Sequence, residues 1–315
     1  MKNFHKISPL ACYVLFACLL SGSALGQQLA LNPLQITWVM TIGEKGDQPG
    51  QFMLPGGITA DANGSIYVAD TGNNRLQKFD STGKLLAITG GFGWDSEQFQ
   101  QPVDICSGNM LDFYIADRDN SRIVRYNKEM HFISAVYANA ALEEKLQFVF
   151  PISLSMSIHG ELFLIDSENS KIVKLNARFE PAFSFGDFDW GQGALDKPAQ
   201  IHVSRNDQVF VSDQGKQCVL VYDYFGNTLA EIGRGVLVSP SGLCTGLNDM
   251  LVVADSGPDQ LLFFDKNGAF FQQFGANGND FGAFNNPGDV AIQNDLLYVA
   301  DTGNHRVLVF KITVR

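Results

Sequence analysis

Apolar and polar positions alternate along this chain in short runs, such as SIYVAD at Ser65–Asp70 and RLQKFD at Arg75–Asp80, broken by Gly, Asn and Asp. A period of two between turn residues predicts β-strands, and no stretch of the repeats sustains a helical period. From Gly56 onward the pattern reads as four strands, GGITAD, SIYVAD, RLQKFD and LLAITG, with NG, TGNNR and STGK at the reversals.

The unit recurs. YVADTGNNRLQKFD (Tyr67–Asp80) returns as YVADTGNHRVLVFK (Tyr298–Lys311), and weaker copies begin at Phe113, Leu162, Val209 and Leu251. The shared aspartate falls at Asp70, Asp117, Asp166, Asp213, Asp255 and Asp301. A proline leads each unit at Pro55, Pro102, Pro151, Pro198, Pro240 and Pro287, at intervals of 47, 49, 47, 42 and 47 residues. A large apolar residue stands three positions before each proline, from Phe52 to Phe284, and another three positions after it, from Ile58 to Val290. Six units of four antiparallel strands predict an all-β, six-bladed β-propeller. The last unit stops after its third strand, and ITWVMTIG (Ile36–Gly43) is placed to supply the fourth, which removes two open sheet edges.

The repeated aspartate ends a strand where the chain must turn back. Its carboxylate can accept loop amides, and Gly and Asn tolerate the positive φ of such turns. Five residues on, Arg75, Arg122, Lys171 and Arg306 are placed to pair with it, whereas Cys218 and Gln260 are not. A feature repeated around a ring is architecture rather than catalysis.

A proline, an apolar strand, [YFL]-[VIL]-[AS]-D, an Asn-rich loop and an arginine together resemble the NHL repeat, which builds six-bladed propellers. The resemblance spans about Ile36–Arg315 and implies an exported bacterial member of that family, with little said about function because one scaffold hosts many activities. Amidating lyases of this kind use several histidines around zinc, and similar lactonases hold calcium with carboxylates and amides. A metal-dependent hydrolase or lyase working in the central channel is therefore the alternative reading.

The channel positions can be read from the frame. Two residues after the prolines stand Gly57, Asp104, Ser153, Gln200, Gly242 and Asp289; four after stand Thr59, Cys106, Ser155, His202, Cys244 and Ala291. Asp104, Gln200 and Asp289 offer oxygens to a hard cation, but two carboxylates beside two glycines make a sparse ligand set. His202 is the one histidine at a ring position, short of a three-histidine zinc site. No cofactor or catalytic metal is expected.

The start, MKNFHKISPLACYVLFACLLSGSALGQQ, combines Lys2 and Lys6 with an apolar run from Leu10 to Leu20 and small residues at Ala24 and Gly26. It reads as a signal peptide over 1–26, followed by a linker over 27–35 and the propeller over 36–315, for a protein exported to the periplasm or exterior. A lipid anchor through Cys18 is the minority reading. Cleavage removes the two lysines and no acid, taking the formal charge from −11 to −13, which argues against nucleic acid. Cys106, Cys218 and Cys244 then read as free thiols.

The loops from each fourth strand to the next blade vary most, and variation on a fixed scaffold is where binding resides. GFGWDSEQFQQP and FGDFDWGQGALDKP set Trp94 beside Asp95 and Trp190 beside Asp187 and Asp189. A large aromatic next to carboxylates suits a cationic peptide or a sugar ring; the alternative is that both tryptophans plug their own loops over the blade junctions. The reading is an exported, monomeric, non-enzymatic binding module for a protein, peptide or carbohydrate.

Overall fold

The structure, a computed structural model, describes residues 33–107, 112–137 and 142–314. Residues 1–26, expected to be a signal peptide and including Cys18, and residues 27–32 of the expected linker lie outside the described residues. Six four-stranded antiparallel sheets form six blades, and the first five run in chain order from the inner strand outward. Blade 1 comprises Ile58–Ala60, Ile66–Asp70, Arg75–Phe79 and Leu85–Gly90, the strands and turns its sequence predicts. Blade 6 takes its fourth strand, Leu34–Ile42, from the other end of the chain. That strand starts two residues earlier than the sequence suggests and pairs from Leu34 with Val314 to Ile42 with Val307, with a bulge between Trp38 and Met40. Gln272 of blade 5 fastens its start, accepting from the Leu34 amide at 2.7 Å and donating to the Leu34 carbonyl at 3.1 Å.

The core lies between blades, and the two-residue period decides which neighbour each side chain meets. On the second strand of blade 1, Tyr67 and Ala69 pack with Phe99, Ile105 and Phe113 of the blade 2 repeat. Ile66 and Val68 face the other way, onto Tyr298, Ala300 and Val307 of blade 6. The residues three before each proline, Phe52, Phe99, Phe148, Leu195, Leu237 and Phe284, are all buried wedges in these inter-blade clusters.

Candidate functional site

Three places could carry function: the aspartate corners, the channel and the long loops. At the corners every acceptor is occupied. Asp70 accepts the Met53 amide at 2.8 Å, the Asn73 side chain at 2.9 Å and Arg75 Nε at 2.7 Å. The rest of the Arg75 guanidinium donates to the carbonyls of Asp47, Gln48 and Gln51, so one fork holds both the carboxylate and the incoming loop. Arg122 does the same to Trp94, Asp95 and Gln98, and Arg306 to Asn279, Asp280 and Ala283. The turns that aim these cations need left-handed backbone at Asn74 (φ 53°) and His305 (φ 57°).

Lys171 departs from the expected pairing. Its ammonium donates to the Glu144 and Lys145 carbonyls, while Asp166 is filled by the Val149 and Phe150 amides and Asn169 Nδ2. A point ammonium cannot serve carboxylate and loop together as a guanidinium does. In blades 4 and 5, which lack a cation, Asp213 and Asp255 hold their loops through backbone amides alone.

The inner strands enclose a cavity of about 180 Å3 that brings Asp104, Gln200, His202 and Asp289 together, as the frame predicts. Their hydrogen bonds give them a structural task. The residue three after each proline has an amide that needs an acceptor, and the side chain two after the previous blade's proline supplies it. Asp289 accepts from Ile58 at 2.8 Å, Asp104 from Leu154 at 2.7 Å and Ser153 Oγ from Ile201 at 3.1 Å; Gln200 Oε1 accepts from Leu243. Gly57 and Gly242 have no side chain to offer the next blade. There the following aspartate uses its second oxygen on its own neighbour: Asp104 accepts from Ile105 and Asp289 from Val290, both at 2.7 Å. Four side chains thus satisfy six buried amides, and the two carboxylates serve twice because each follows a glycine.

Each carboxylate also takes a third donor, Ser153 Oγ at 2.8 Å on Asp104 and Gln200 Nε2 on Asp289. These oxygens point at N–H and O–H groups of the inner strands, so the channel residues do not fit a hard-cation cage, and His202 alone does not fit a zinc site. Burial raises the Asp289 carboxyl, with the negative Asp104 adding to it, and burial raises Asp104 as well. Burial likewise pushes the Cys106 and Cys244 thiols up, away from the reactive thiolate. His202 is pushed down to about 4 by burial and shares a 2.8 Å hydrogen bond with Thr245 Oγ1.

The two loop tryptophans part company. Trp190 is half-buried against Phe183 and Phe185, and its indole N–H donates to the Gly226 carbonyl at 2.8 Å. It plugs the junction between blades 3 and 4. Trp94 is 73% exposed, with Asp95 and Glu97 exposed beside it. The sequence reading passed over two further exposed aromatics, Phe188 between Asp187 and Asp189, and Phe281 after Asp280; their adjacent acids were the signal.

Comparison with known proteins follows the corner chemistry. The NHL repeat model matches residues 52–79, 99–126 and 284–310, the three repeats in which both an asparagine and an arginine close on the aspartate. A probable peptidyl-alpha-hydroxyglycine alpha-amidating lyase of Caenorhabditis elegans is 30% identical over 136 residues, 41% of this chain and 38% of that protein. Peptidyl-glycine alpha-amidating monooxygenase B of Xenopus laevis is 29% identical over 167 residues, 48% of this chain. This chain spans only 19% of the frog protein. Among solved structures, virginiamycin B lyase from Staphylococcus aureus superposes with a TM-score of 0.62 at 10% identity, over 89% of this chain and all of that one. An auxiliary nutrient binding protein from Bacteroides ovatus gives a TM-score of 0.63 at 13% identity, over 90% of this chain and 77% of that one. At such identities the likeness is one of fold. The corners, the closed ring and the matched repeats make this chain an NHL-repeat β-propeller of six blades.

Proposed function

We propose that this propeller is an exported, monomeric binding module that takes a protein, peptide or carbohydrate partner on its long inter-blade loops, without catalysis. One contrast carries the reading. The channel's polar side chains are consumed in joining blades, whereas the loops hold large aromatics and carboxylates out to solvent on backbones pinned by the corner arginines. Groups held in place before a ligand arrives cost little entropy to use. Export rests on the basic and apolar pattern of residues 1–26. Among the described residues no helix is long and apolar enough to cross a membrane.

The test is retention of peptide and glycan arrays by the intact chain, by the loop variant Trp94→Ser and by the channel variant His202→Phe. Binding lost in the loop variant and kept in the channel variant supports the reading; the reverse pattern moves the site into the channel. Similarity to amidating lyases supports a second reading, a lyase or hydrolase working in that channel. It requires turnover of a peptidyl-hydroxyglycine or lactone substrate that His202→Phe abolishes.

A further inference from the structure

The six inter-blade loops alternate in chemistry. Those entering blades 2, 4 and 6, over Gly91–Gln101, Gly186–Lys197 and Gly275–Asn286, each expose a large aromatic next to a carboxylate: Trp94 with Asp95, Phe188 with Asp187 and Asp189, and Phe281 with Asp280. Lys197 is the one base in those three segments. Among the described residues Asp95, Glu97, Asp187, Asp189 and Asp280 form no ion pair. The intervening loops differ. The one entering blade 3 pairs Lys145 with Glu143 at 3.0 Å, the one entering blade 5 pairs Arg234 with Glu231 at 2.6 Å, and the one entering blade 1 carries Lys45 between Glu44 and Asp47.

The exposed aromatics do not stand on loose chain. Arg122 donates to the Trp94 and Asp95 carbonyls at 2.9 Å, Arg306 to the Asp280 carbonyl at 3.1 Å, and the Trp190 plug anchors the segment displaying Phe188. Trp38 packs against Phe281 with the rings tilted by 36° and their centroids 4.4 Å apart, broadening that point. An unpaired carboxylate beside a fixed aromatic face recognises a cation twice over, by charge and through the ring quadrupole.

We propose that these loops form three equivalent anchor points, set on alternate blades, for lysine- or arginine-bearing polypeptide, and that a long basic chain engages more than one at once. The inference rests on the loop-binding reading above and names its ligand. Each loop between them carries a base of its own that offsets an acid, which weakens the hold on such a chain at those blades.

The experiment uses an array of 12-residue synthetic peptides spanning net charge from acidic to basic, with maltohexaose and chitohexaose as neutral probes, followed by calorimetric titration of the full chain. Retained peptides should be enriched in Lys and Arg, and affinity should fall at least tenfold between 50 and 300 mM salt as screening grows. Trp94→Ala, Phe188→Ala and Phe281→Ala should each remove a share of the binding sites for a short peptide. A tandem repeat of that peptide should bind at least a hundredfold more tightly than one copy, through avidity. Neutral sugars bound in a Trp94-dependent way would overturn the cationic ligand and leave the loop site standing. Basic peptides indifferent to all three substitutions would overturn both. Retention of no basic peptide, or loss confined to one aromatic, overturns the three-point arrangement.

Discussion

Replacing Asp289 with alanine isolates the claim that the channel carboxylates are structural. The substitution strips the acceptor from the Ile58 and Val290 amides and from Gln200 Nε2, all on a residue only 3% exposed. A buried donor left without a partner costs about 1–3 kcal/mol. Two backbone amides that cannot rotate away therefore set a loss of roughly 3–5 kcal/mol, with Gln200 free to find water in the cavity. The charged form was itself disfavoured by burial and by Asp104, which offsets part of the loss and puts the expected value near the lower bound, about 3 kcal/mol. In a propeller of this size that corresponds to a melting point lower by roughly 5 °C. Thermal and urea unfolding of the purified chain in the presence of a chelator measure it. A change under about 1 kcal/mol would refute the structural role of these carboxylates in holding the inner-strand amides.

The other predictions are shorter. Trp190→Ala should destabilise by about 2 kcal/mol, less than a fully buried tryptophan because the ring is half-exposed, while Trp94→Ala should stay within about 0.5 kcal/mol by the same unfolding assay. Deleting Ile36–Gly43 should expose the edge of Arg306–Val314 together with the pockets vacated by Ile42, so light scattering should report aggregation well below the parent's melting point; a deletion that melts like the parent would refute closure. His202 titrates at about 4 in the fold against about 6.5 when unfolded, so its contribution is present above pH 6.5 and is lost as pH falls toward 4. The ceiling is roughly 3 kcal/mol, reduced because the ring borders the cavity, and His202→Gln should flatten that limb of the stability curve relative to the parent.

Blades, corners and closure were legible because each is stated by repetition: a proline, an apolar wedge and an aspartate return in register until only one placement of Leu34–Ile42 completes the ring. The channel positions were legible too, but not their task. Asp104 and Asp289 read as sparse metal ligands because the amides they hold belong to other blades, far away in sequence. The clue lay in Gly57 and Gly242, each one blade upstream of an aspartate at the same position. A Cβ at Gly242 would sit 2.4 Å from the Asp289 Cα, so glycine and aspartate there are one arrangement. Trp94 and Trp190 look alike in sequence, both flanked by acids, and only the Gly226 carbonyl and the rings of Phe183 and Phe185 separate a plug from an exposed face. Lys171 was misplaced for a similar reason: charge is visible in a sequence, but the number of directions in which a cation can donate matters only once the loop carbonyls are in place.

Hydrogen exchange of the full chain, with and without the array peptide it retains best, tests the central claim most directly. Binding on the loops predicts added protection of the amides in Gly91–Gln101, Gly186–Lys197 and Gly275–Asn286, with the inner strands unchanged. Protection gathered instead at the channel end of the inner strands, around Ser155, His202 and Thr245, would contradict it.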